Sequence, residues 1–155
     1  MSVQLSPIIA GVMNWGVWDK NLNTNEFTHL INLFIENGIT TFDHADIYGG
    51  YTTEASFGKA LSESKIDRKK IQLITKCGIQ YVSENRPNNS IKHYEYSKDY
   101  IIWSAENSLK NLKTDYLDVF LLHRPSPLMQ ADEIAEAVSK LKADGKILSF
   151  GVSNF

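Results

Sequence analysis

Asp43, Tyr48, Lys76 and His123 are a carboxylate, a phenol, an ammonium and an imidazole. Each closes, or lies just beyond, a short apolar run that reads as a β-strand. Asp43 follows Ile39 to Phe42. Tyr48 follows five residues later, inside the stretch Thr41-Phe-Asp-His-Ala-Asp-Ile-Tyr-Gly-Gly-Tyr51. Lys76 ends the run from Ile71, and His123 ends the run from Tyr116. Their chemistry is complementary. A phenol has a reference pKa of about 10 and is a poor acid at neutral pH. A nearby ammonium favours the phenolate. A carboxylate beside that ammonium fixes it and keeps it charged. An imidazole donates a hydrogen bond to a substrate oxygen or helps relay a proton. Together they make a tuned general acid, worth about 10²–10⁴-fold in rate. The set holds no nucleophile and no bound metal. It suits protonation of an oxygen gaining negative charge, as a carbonyl oxygen does while its carbon receives a hydride.

Such groups meet only if the elements between them bring the strand ends together. Ile8 to Met13 reads as a first strand, followed by the ring-rich loop Asn14 to Trp18. Asn23 and Thr24 suit a helix N-terminus. Phe27, Leu30, Ile31, Phe34 and Ile35 then recur at helical spacing until Gly38. Ile39 to Phe42 is the second strand, and Thr52 or Thr53 caps a second helix through Leu61. The charged run Asp67 to Lys70 reads as a surface connection, and Ile71 to Lys76 as the third strand. Gly78 to about Ser97 is a long irregular stretch, of the kind that is usually functional or disordered. Ser97 caps a third helix; Tyr116 to His123 is the fourth strand. Ala131 to Leu141 is a fourth helix with acidic Asp132 and Glu133 in its first turn. Ile147 to Val152 is the fifth strand, and Ser153 and Asn154 lie at its end.

Apolar strands alternating with amphipathic helices indicate a parallel sheet covered by helices. An open doubly wound sheet and a (β/α)8 TIM barrel both fit, and both put chemistry at the C-terminal strand ends. No G-x-G-x-x-G follows the first strand, which argues against a dinucleotide-binding Rossmann domain. The 155 residues make one ordinary domain or part of a larger one. With 16 basic and 18 acidic residues, the net charge is −2, with no long run of either sign. That gives no support for nucleic-acid or membrane-surface binding. The single cysteine excludes a disulfide framework and fits a reducing compartment. Met1 to Pro7 shows no basic flank and no apolar core, so no signal peptide is expected. No apolar run is long enough for a membrane span, and the cytoplasm is the expected compartment.

The runs Phe-Asp-His-Ala-Asp-Ile-Tyr-Gly, Ile-Thr-Lys-Cys-Gly, Leu-Leu-His-Arg-Pro and Gly-Val-Ser-Asn-Phe resemble the successive motifs of the aldo-keto reductase family, most closely its smaller bacterial oxidoreductases. The resemblance spans nearly the whole chain. It implies a (β/α)8 barrel and reduction of an aldehyde or ketone with NADPH, NADH being possible. It implies that Tyr48 is the general acid, Lys76 and Asp43 the pair that tunes it, and His123 the group that orients the carbonyl. Gly11, Val12 and Met13 would lie against the nicotinamide, and Ser153 and Asn154 would hold its carboxamide. Trp15, Trp18, Tyr51 and Arg124 would line the substrate pocket. The family barrel has eight strands in about twice this length, and five are read here. The basic segment that grips the cofactor's 2′-phosphate lies in the other half. The chain is therefore expected to be the N-terminal part of one barrel domain, inactive alone, with its first and fifth strands open to association.

Two other classes remain. A metal-dependent barrel hydrolase would use Asp43, His44, Asp46 and His123 as ligands, although Lys76 among them would repel a cation. A non-enzymatic or regulatory subunit of the same family would keep the site without useful turnover. Among the remaining polar groups, Asp46 reads as a solvated turn residue and Cys77 as a small buried thiol.

Overall fold

The computed structural model describes residues 3–155. Met1 and Ser2, part of the stretch read for a signal peptide, lie outside the described residues. The elements run β1 (Ile9–Gly11), α1 (Thr24–Glu36), β2 (Thr41–Asp43), α2 (Tyr48–Tyr51), α3 (Thr53–Glu63), β3 (Gln72–Cys77), β4 (Ile79–Gln80), β5 (His93–Tyr94), α4 (Lys98–Leu112), β6 (Leu117–Leu122), α5 (Ala131–Ala143) and β7 (Ile147–Val152). Five strands form one parallel sheet in the order β1-β2-β3-β6-β7. This spatial order is also the chain order. A doubly wound sheet would reverse at a switch point, and this one does not. Right-handed crossovers then put the connecting helices on one face, where α1, α3, α4 and α5 pack in succession. The fold is the (β/α)8 barrel arrangement over five strands and four covering helices. Strands β1 and β7 are the sheet's edges, flanked by exposed Ile8, Ile9, Leu148, Val152 and Phe155.

The helices start where side chains can satisfy the free N–H groups of a first turn. Asn23 caps α1: its Oδ1 accepts from the Asn25 and Glu26 amides at 3.0 and 3.1 Å. Glu26 in return accepts from the Asn23 amide at 2.7 Å, closing a capping box. The left-handed Gly38, at φ 77°, ends that helix region. Ser97 caps α4 through the Tyr100 amide. Thr52 departs from its expected role. Its hydroxyl donates back to the Gly49 carbonyl at 2.6 Å, so α3 begins without a side-chain cap.

Two more departures have physical causes. The stretch after β3 is not wholly irregular, because β4 and β5 pair there as an antiparallel ladder of two residues each. Strands so short carry no period to read. Arg68 lies in the run expected at the surface, yet its guanidinium reaches inward. It donates to Asp118 at 2.6 Å, to Thr114 Oγ1, and to the Ile71 and Tyr116 carbonyls. Asp118 also accepts from the Leu73 amide at 2.9 Å, which ties β3 to β6 at the end of the sheet away from the C-terminal tips. Among the described residues no helix is long and apolar enough to cross a membrane.

The core lies between the sheet and the helices, around Phe27, Ile31, Phe42, Phe57, Leu73, Leu112 and Phe120. Within it, α3 packs closely on α4 at Gly58. A Cβ there would lie 2.0 Å from the Asn111 carbonyl oxygen and 2.7 Å from the Leu112 backbone. Backbone cannot yield as a flexible side chain can. Gly58→Ala is expected to force α3 from α4 and cost about 2–3 kcal/mol, measured as a lower midpoint in urea unfolding.

Candidate active site

Register sets the first contact. Asp43, the last residue of β2, pairs with Ile74 of β3, and Lys76 lies two residues further on. Side chains two apart on a strand share a face, so Lys76 and Asp43 project to the same side of the sheet. The Lys76 Nζ donates to the two Asp43 carboxylate oxygens at 2.7 and 2.8 Å and to the His44 carbonyl at 2.7 Å. The Tyr48 hydroxyl lies 3.4 Å away, at the outer limit of a hydrogen bond. Lys76 is only 6% exposed. An ammonium buried to that degree needs such oxygens around it.

Tyr48 reaches this place by an unusual turn. Gly49, Gly50 and Tyr51 all adopt left-handed backbone, with φ of 60, 66 and 70°. Gly49 has a second reason to be glycine, because a Cβ would lie 2.4 Å from Thr53 Oγ1. The turn swings the Tyr48 ring back over the strand tips, where it is buried to 9% exposure. The His123 ring stands nearly perpendicular to it, with centroids 6.1 Å apart. Burial, then the charges of Lys76 and Arg124, lower the His123 pKa to about 4. His123 is thus a neutral imidazole at neutral pH. Its Nδ1 is buried with no hydrogen-bond partner among the described residues. The structure therefore brings Asp43, Tyr48, Lys76 and His123 together at one rim.

The other expected site residues divide. Ser153 follows β7, its amide bonded to the Leu122 carbonyl at 2.9 Å. Asn154 is exposed and donates to Ser153 Oγ at 2.7 Å. Gly11 has nothing within 4 Å of where a Cβ would stand. Met13 is exposed beyond it, whereas the Val12 side chain is in the core and its backbone is bonded to the Asp43 carbonyl and the Trp15 amide. Gly11 lies at the tip of one edge strand and Ser153 and Asn154 just beyond the tip of the other; open space, a hydroxyl and an amide are the kinds of group that hold a flat ring bearing a carboxamide. Trp18 is 46% exposed and its ring lies 6.2 Å from that of Tyr48. Arg124 is exposed, its backbone held by the Tyr96 hydroxyl.

Two of the expected pocket residues need correction. Trp15 does not line a pocket. It is buried among Phe27, Phe34, Phe42 and Phe57, because the turn after β1 directs it to the helix side. Tyr51 is also buried, stacked on Tyr81 at 5.1 Å, with its hydroxyl accepting from the Tyr81 amide at 3.2 Å. It supports the rim instead of facing it. Tyr81, whose ring also lies 6.5 Å from that of Trp18, went unread because the stretch around it has no periodic pattern.

Asp46 is likewise not a solvated turn residue. It is buried, accepting from Tyr100 at 3.2 Å and Ser104 at 3.4 Å. Burial, then the nearby Glu54 carboxylate, push its pKa up to about 8. His44 turns into the core edge-on to Phe57, 4.4 Å between centroids, and burial lowers its pKa to about 3. Of the four groups considered as metal ligands, His44 and Asp46 thus turn away from the rim that holds Asp43 and His123. Among the described residues no three His, Cys, Asp or Glu side chains gather as a metal site. Cys77 is fully buried, and burial pushes its thiol well above the usual range.

The profile of the Aldo/keto reductase family matches residues 7–155. An oxidoreductase of Bacillus subtilis (strain 168), YcsN, is 50% identical over 153 residues, covering 99% of this chain and 50% of that protein. The 6-dehydroglucose reductase of Agrobacterium fabrum is 40% identical over 153 residues, covering 99% and 51%. The holo form of aldo-keto reductase AKR11C1 from Bacillus halodurans superposes with a TM-score of 0.82 at 29% identity, covering 99% of this chain and 47% of that one. The chain spans about half the length of the curated relatives it matches.

The buried titratable groups make stability depend on pH in two opposite ways. Asp46 holds its proton more tightly in the folded chain, from its ordinary 3.8 up to about 8. The stability this gives is lost as pH rises towards 8. His44 and His123 are depressed from 6.5 to about 3 and 4, so their contribution is lost as pH falls below 6.5. Between pH 7 and 8, where few unfolded-state histidines are still protonated, the Asp46 effect exceeds theirs. Urea unfolding is expected to show stability declining across that window by roughly 0.5–1 kcal/mol per pH unit. Asp46→Asn should remove most of the slope.

Proposed function

Because the chain belongs to the aldo/keto reductase family, we propose that its rim reduces an aldehyde or ketone, with Tyr48 as the proton donor. The single observation that carries this reading is the Lys76 ammonium, held by both Asp43 oxygens and the His44 carbonyl while facing the Tyr48 hydroxyl. NADPH, or NADH in its place, would lie along Gly11 to Met13 with its carboxamide at Ser153 and Asn154, and when bound it supplies a hydride for the carbonyl carbon. As negative charge grows on the carbonyl oxygen, the Tyr48 O–H gives up its proton to that oxygen. The Lys76 ammonium stabilises the phenolate left behind. Asp43 and the His44 carbonyl keep the ammonium in place throughout. Neutral His123 donates one N–H towards the same oxygen and orients it without contributing a second charge.

The exposed Trp18 ring beside Tyr48 offers a flat apolar wall. A carbonyl sugar is one substrate class this supports, and a relative in Agrobacterium fabrum is named for 6-dehydroglucose. The free thiol of Cys77 agrees with a cytoplasmic setting. Open edges at β1 and β7, and a span of about half that of the relatives, support a further part of the reading. The 155-residue chain alone has little turnover, and pairing at those edges completes the barrel.

NADPH consumption with a simple aromatic aldehyde is the direct test. The purified chain should show almost none. The chain joined to the complementary half of the Bacillus subtilis relative should show reduction. In that fusion Tyr48→Phe should lower the rate by about 10²–10⁴-fold while leaving NADPH binding intact. Undiminished reduction in the Tyr48→Phe fusion would refute the proton-donor role, and normal turnover by the isolated chain would refute its incompleteness.

A further inference from the structure

Gly49 and Gly50 enter left-handed backbone freely, but Tyr51 does so at a cost, because its Cβ crowds the following carbonyl. Such strain persists only where the surroundings over-determine it. Here they come from one source, the segment between β3 and α4. Tyr51 Oη donates to the Ile79 carbonyl at 3.5 Å and accepts from the Tyr81 amide at 3.2 Å. Asn85 Nδ2 donates to the Gly50 carbonyl at 2.8 Å. Tyr81 stacks on Tyr51, their rings 17° from parallel. The Arg86 guanidinium lies 4.5 Å from the Tyr51 ring centroid and 4.6 Å from that of Trp103. Arg86 is the link in this set that ties the turn to α4, the helix carrying Trp103. Its Nε is buried without a hydrogen-bond partner among the described residues, so the two rings set its position. Buried Asp46 and Glu54 are close enough to feel its charge.

We infer that Arg86 is a positioning residue: it clamps Tyr51 against α4, holds the left-handed turn closed, and thereby fixes the Tyr48 phenol beside Lys76. The inference rests on the reading of Tyr48 as proton donor, but the clamp is measurable without turnover. A residue that merely pinned a surface loop would leave Tyr48 unmoved.

The test uses the full chain labelled with 3-fluorotyrosine, with the Tyr48 resonance identified as the one lost in Tyr48→Phe. In Arg86→Ala the Tyr48 line should shift and broaden. The Tyr51 and Thr52 amides, which donate to the Ile47 and Tyr48 carbonyls, should exchange about tenfold faster, the scale of a lost cation–π contact. Amides in the middle of α4 should keep their protection. In a Tyr51→Leu background, Arg86→Ala should move the Tyr48 line no further. An unmoved Tyr48 line in folded Arg86→Ala overturns the inference, as does loosening confined to the segment around Arg86. Should Arg86→Ala not fold, Arg86→Lys keeps the charge but cannot lie flat between two rings, and the same outcomes decide. Full reduction by a Tyr48→Phe fusion, with the Arg86→Ala line still displaced, would refute the chemistry and leave the clamp standing.

Discussion

One buried ammonium governs this rim. Lys76 is the next-to-last residue of a strand from which water is excluded over most of its length. A charge in that position destabilises the fold unless oxygens surround it in good geometry. That demand fixes the register of β2 against β3, because only Asp43 at the tip of β2 can offer both oxygens. It also fixes the path of the chain after β2, since the His44 carbonyl must point at the same nitrogen. What remains of the ammonium's hydrogen-bonding capacity faces Tyr48. Structural necessity and chemical use coincide at one atom.

Most other titratable groups around the site are driven towards their neutral forms. His44 and His123 lose their protons readily, and Asp46 keeps its own. Glu54, bonded to Thr75 at 2.6 Å, is also raised by burial. The field at the rim is then dominated by the Lys76–Asp43 pair. In a low-dielectric site, a few fixed charges act strongly on any charge that develops nearby. The second inward-reaching pair, Arg68 with Asp118, serves the opposite end of β3 and β6, where it holds strands together.

The sequence alone revealed the rim because a parallel sheet gathers strand ends regardless of their separation along the chain. Asp43, Lys76 and His123 were readable from that rule, and Tyr48 from the Gly-Gly turn beside it. The caps at Asn23 and Ser97 were readable because they act within three residues. Burial decided by distant partners was not. Asp46 is covered by Tyr100 and Ser104, more than fifty residues away, and nothing near Asp46 announces them. Trp15 and Trp18 are three residues apart in one loop, yet one enters the core and the other borders the rim. Nor does a left-handed tyrosine leave a local mark. Arg86 and Tyr81 belong to a segment with no period, so their roles emerge only from the ring stack they join.

The third acceptor around the ammonium has a different origin from the other two. His44 contributes its peptide oxygen while its ring is spent in the core against Phe57. Every residue type carries that oxygen, so exchanging one amino acid for another cannot delete it. The genetic code can erase the carboxylate or the phenol in a single step, but this ligand yields only to a displaced main chain. One part of the charge's solvation is therefore written in topology and is invisible to mutational scanning at position 44, except through whatever the lost ring does to the path of the backbone.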